Sequence, residues 1–135
     1  MAVKVVDHDT RLDATLVEAW ADRLDLGGWN IRLVKSDEKL EDETQAATEV
    51  QAPYREAMIT TGPNFPDDLV EQEEIIVHEL CHILVAGMSR AGENLSQAAA
   101  ASSRRALEEL FGDAEETTVS DLTRLFLARL GTARK

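Results

Sequence analysis

The segment Ile75-Ile76-Val77-His78-Glu79-Leu80-Cys81-His82-Ile83-Leu84-Val85 governs the reading of the whole chain. Apart from one cysteine, its ionisable side chains are two histidines and a glutamate set among aliphatic residues. A helix this apolar is buried on most sides. Burying three ionisable groups is costly unless each is compensated, and one Zn²⁺ compensates all three together. His78 and His82 stand four residues apart on one helix face, so both can ligate a single ion at about 2.0–2.1 Å. Glu79 lies about 100° round the helix, beside the ion, where it can take a proton from an activated water and pass it to a leaving amine. Cys81 points to another side of the helix and reads as core, since free cysteine is among the most buried residue types.

Catalytic zinc takes three protein ligands and leaves one position open. No histidine follows His82, and the only other one is His8. The metzincin pattern is excluded, because its glycine and histidine positions hold Val85 and Met88 here. The third ligand must then be a carboxylate, and the downstream candidates are Glu93, Glu108, Glu109, Asp113, Glu115, Glu116 and Asp121. Val119, Leu122, Phe126 and Leu130 form an apolar stripe at steps of three and four. One turn back, the centre of that stripe falls on Glu115, with Glu116 about 100° away at its edge. Glu115 is therefore the expected ligand and Glu116 the alternative. Tyr54 is a candidate oxyanion donor, although a strand tyrosine is more often a core residue.

Outward from the motif, apolar residues at Leu12, Leu16, Trp20 and Leu24 predict a helix over 10–25, capped by Asp9 or Thr10 and stopped by Gly27-Gly28. Alternation predicts a strand over 29–34. Two more strands are expected over 46–51 and 54–61, with Pro53 between them. After a loop over 62–68, Asp67 or Asp68 caps a helix over 69–86 that carries the motif, with Gly87 and Gly92 about its end. A second helix is expected from Asn94 or Leu95 to residue 111, broken by Gly112-Asp113, and a third over 114–130. Helices follow strands instead of alternating with them. That order predicts an α+β fold, one domain over 1–135, with a small three-stranded antiparallel or mixed sheet.

The chain has 135 residues, is 44% hydrophobic and 30% charged, and carries a formal net charge of −12. It is long enough for one real core. Its acidity repels phosphate backbones, so nucleic acid is not an expected partner. A single cysteine excludes an internal disulfide. The start of the chain meets acidic residues before any signal-like apolar run, and no stretch nears the roughly 20 apolar residues of a membrane span. A cytoplasmic location is expected.

Several stretches in order resemble the small zinc metallopeptidases of bacteriophages and prophages, which are similar to compact gluzincins. They are Trp29-Asn30-Ile31-Arg32-Leu33, Tyr54-Arg55-Glu56-Ala57-Met58-Ile59, Ile76-Val77-His78-Glu79-Leu80-Cys81-His82 and Glu115-Glu116-Thr117-Thr118-Val119. The resemblance implies a zincin-like domain with His78 and His82 as ligands, Glu79 as general base and a glutamate of the Glu115-Glu116 pair as third ligand. It also implies an edge strand that holds an extended peptide. The expected function is peptide hydrolysis on a peptide or protein substrate. The other readings are hydrolysis of a different amide, a phage accessory protein whose zinc is only structural, and an accessory to DNA processing that acts through a protein partner.

Overall fold

The computed structural model describes residues 2–8, 12–41, 44–86, 97 and 101–134. Along the chain run β1 (Lys4–His8), α1 (Ala14–Arg23), β2 (Asn30–Lys35), β3 (Ala46–Gln51), a 3-10 turn (Ala52–Tyr54), β4 (Glu56–Thr61), α2 (Leu69–Leu84) and α3 (Ala101–Leu130). The four strands form one mixed sheet in the order β1-β2-β4-β3. β1 and β4 flank β2 in parallel, and β3 folds back on β4 as an antiparallel hairpin. The α+β class is as expected. The strand count is not, because β1 adds a fourth strand.

β1 carries no local signal of its pairing. It is five residues long, and its partner is a parallel strand beginning at Asn30, reached only after α1 has crossed between them. Parallel pairs need such a crossover, so no local turn signal announces the pairing. The hairpin strand also starts later than its sequence suggests. Residues 52–54 form a tight turn, and Arg55 passes through it at φ 50 before β4 begins at Glu56.

One face of the sheet is buried with a period of two. Ile31 and Leu33 of β2 and Ala57, Ile59 and Thr61 of β4 point inward, while Arg32 sits on the opposite face. α1 and α2 cover the inner face with Val17, Trp20, Ile76, Val77 and Leu80, all 0 or 1% exposed. Full burial of such side chains contributes about 1.5–3 kcal/mol each. α1 begins at Asp13, whose carboxylate accepts from the amides of Thr15 and Leu16. The expected caps Asp9 and Thr10 lie outside the described residues. At α2 the cap is Asp68, accepting from Glu71 N at 3.4 Å, and the helix ends at Leu84, two residues earlier than expected.

The largest departure is α3. The expected break at Gly112-Asp113 does not occur, and one helix continues from Ala101 to Leu130. A mid-helix glycine lowers helix stability by about 1 kcal/mol without ending the helix, and the packed segment beyond it outweighs that. The helix stops at Gly131, whose φ of +69 provides the left-handed turn and whose amide donates to Leu127 O at 3.1 Å. Gly87, Gly92 and the expected helix start near Asn94 lie outside the described residues.

Candidate metal centre

α2 presents His78 and His82 on one side, with ring centroids 5.2 Å apart. One ligating atom each from His78, Glu79 and His82 fall within 4.8 Å of one another. The helix turns His78 and His82 toward α3 because Ile76, Val77, Leu80 and Ile83 hold its other side against the core. α3 is held there in turn by Val119, fully buried, and by Leu122 and Phe126 packed against the same core. Leu130, at the end of the expected stripe, is 45% exposed, and Thr123 is buried in its place.

This packing carries both candidate carboxylates to the histidines. Glu116 lies 3.5 Å from His78 Nε2 and 3.1 Å from His82 Nε2. Glu115 lies 3.5 Å from His82 Nδ1, on the other side of that ring. The burial order follows the helical stripe, since the Glu115 side chain is 25% exposed and that of Glu116 60%. The other candidates do not converge. Glu109 pairs with Arg105 and Asp121 with Arg124, Glu108 and Asp113 are exposed, and Glu93 is outside the described residues.

The donor set fits a divalent ion of the zinc type. Two imidazoles and a carboxylate are the usual ligands of such a site, and ligands at about 2.0–2.1 Å in a tetrahedron stand about 3.3 Å apart. Glu116 comes near that spacing through two different oxygens, Oε2 at 3.5 Å from His78 Nε2 and Oε1 at 3.1 Å from His82 Nε2.

Glu79 is 6% exposed. Its Oε2 accepts from Thr48 Oγ1 of β3 at 2.5 Å. Thr48 was not marked by the sequence, although the alternation of β3 puts it on the inward face with Ala46 and Val50. Beside these groups opens a groove of about 830 Å³, walled by Ile75, His78 and Glu79 of α2, Thr123 and Arg124 of α3, and the start of β3 at Ala46. Tyr54 neither lines this groove nor enters the core; it is 74% exposed in the turn before β4. Cys81 is fully buried. Burial pushes its thiol pKa up, against a smaller opposite effect of the Thr123 hydroxyl.

No family model, curated protein sequence or solved structure matches the chain, and the chemistry of the site rests on its own residues. Among the described residues, no helix is long and apolar enough to cross a membrane.

Proposed function

We propose that the chain is a zinc-dependent metallopeptidase. The observation that carries this reading is the meeting of His78, His82 and Glu116 from two helices, with the buried Glu79 carboxylate beside them at the floor of an open groove. His78, His82 and Glu116 would hold the ion. Glu115 would hold the His82 ring from its Nδ1 side, as carboxylates behind ligand histidines do. Zn²⁺, when bound, supplies Lewis acidity to a carbonyl and acidifies water. Glu79 accepts the proton of the attacking water and delivers it to the leaving nitrogen as the C–N bond breaks. The groove of about 830 Å³ beside His78 and Glu79, bordered by residues 44–46 at the start of β3, has room for a peptide segment, which favours a peptide over a small amide.

A structural zinc site would need four protein ligands. Glu115 or Glu79 would have to supply the fourth; Glu115 stands on the Nδ1 side of His82 and the Glu79 carboxylate accepts from Thr48, which argues against that role for either.

Metal content of the purified protein tests the ligand set. About one zinc per chain is expected in wild type. His82→Ala and Glu116→Ala should lose it, while Glu115→Ala should keep it with about 10–100-fold weaker affinity. Loss in Glu115→Ala with retention in Glu116→Ala would reverse the two roles. Glu79→Gln should retain zinc and cleave a peptide library about 10²–10⁴-fold more slowly than wild type. A wild type that takes up no zinc after reconstitution would overturn the proposal.

A further inference from the structure

The site contains one carboxylate too many for an open centre. His78, Glu79 and His82 each offer a ligating atom within 4.8 Å of the others, and Glu116 reaches both histidines. Four protein ligands close a zinc site and end its catalytic use. Helix geometry separates Glu79 from the histidine face by only about 100°, and a glutamate side chain has the reach to swing across. Something other than the helix must hold it back.

We propose that Thr48 is the positioning residue that keeps Glu79 off the metal and available for proton transfer. Thr48 Oγ1 donates to Glu79 Oε2 at 2.5 Å. The strand that carries it cannot drift, because β3 is laddered to β4 with Thr48 opposite Ile59. Glu79 is 6% exposed, and on the β3 side Thr48 is the donor that its carboxylate meets. A buried carboxylate oxygen that loses its donor seeks another partner, and the nearest strong one is the ion. A hydroxyl donor also suits both protonation states of Glu79. It stays on Oε2 while the proton arrives at Oε1, so the transfer requires no rearrangement of the pair. Thr48 therefore decides whether Glu79 serves as base or as ligand. This inference rests on the zinc reading above.

Cobalt substitution tests it, because the visible bands of bound Co²⁺ respond to the number and kind of ligands. Thr48→Val, and Thr48→Ala as a second variant should the first fail to fold, should shift those bands and bind Co²⁺ about tenfold or more tighter, as befits an added carboxylate ligand. In the same variants kcat should fall about tenfold or more with KM within about twofold. Thr48→Ser should behave as wild type. Adding Glu79→Gln to Thr48→Val should return the bands to their wild-type positions, since the amide is a far poorer ligand. Bands and affinity unchanged in both Thr48→Val and Thr48→Ala would overturn the role of Thr48 and leave the zinc site standing. A wild type that binds no Co²⁺ would overturn both.

Discussion

Glu73 shows how much a single buried carboxylate can organise. Its side chain accepts from Trp20 Nε1 at 2.8 Å, Thr132 Oγ1 at 2.5 Å, Ala133 N at 2.7 Å and Arg134 Nε at 3.1 Å. Burial alone would raise its pKa, but the bonds from Thr132, Trp20, Ala133 and Arg134 outweigh burial and hold it at about 2. A folded-state pKa below the unfolded value contributes stability above the unfolded pKa, and that stability is lost as pH falls through the folded one. Glu73 therefore contributes fully above about pH 4.5 and loses its contribution between there and about pH 2. From pH 6 to pH 2 the loss should be about 3 kcal/mol, measured by urea unfolding across that range. Glu73→Gln should be less stable at pH 6 and should lack this part of the acid slope. The carboxylate fastens residues 132–134 to α2. Arg23 reinforces the fastening by lying over the Trp20 ring at 4.9 Å and donating to the carbonyls of Gly131 and Thr132.

Among the elements, α3 departs most from its sequence. Gly112 has no heavy atom within 4 Å of where a Cβ would stand, and its place in the helix does not require glycine. Gly112→Ala should therefore raise stability by about 1 kcal/mol, read from the denaturant midpoint at unchanged m-value. What was legible and what was not divides along the same physical line. His78, Glu79 and His82 were legible because their relation is fixed by one turn of one helix. The Glu115-Glu116 pair was legible through the stripe it extends, although a stripe ranks burial and cannot say which ring nitrogen each carboxylate meets. Thr48 and Glu73 were not legible, since their partners lie 31 residues away at Glu79 and 53 residues away at Trp20. Nothing in the sequence sets Glu73 apart from its acidic neighbours Glu71 and Glu74. The pairing of β1 with β2 is long-range in the same way, and Tyr54 falls in the turn over 52–54, ahead of the strand that begins at Glu56.

For the molecule as a whole, the candidate centre joins parts that are far apart in sequence. α2 supplies two imidazoles and α3 a carboxylate, so an ion bound there would cross-link the two helices in the folded state alone. Zinc at about 100 times its Kd should add about 2.7 kcal/mol to stability, seen as a rise in melting temperature, and Glu116→Ala should abolish the rise. The unbroken course of α3 gives this join a further character. With Gly112 inside the helix and no hinge between Ala101 and Leu130, the carboxylates are set in phase with Val119 and Phe126 as teeth on one rod are. One residue gained or lost between Glu116 and Val119 would turn the acids about 100° away from the histidines. The same change upstream of Ala114 would leave their phase untouched. The rod thus has a stretch of fixed count, from Glu115 to its packed end, and a described stretch before it, residues 101–114, whose count the site does not read.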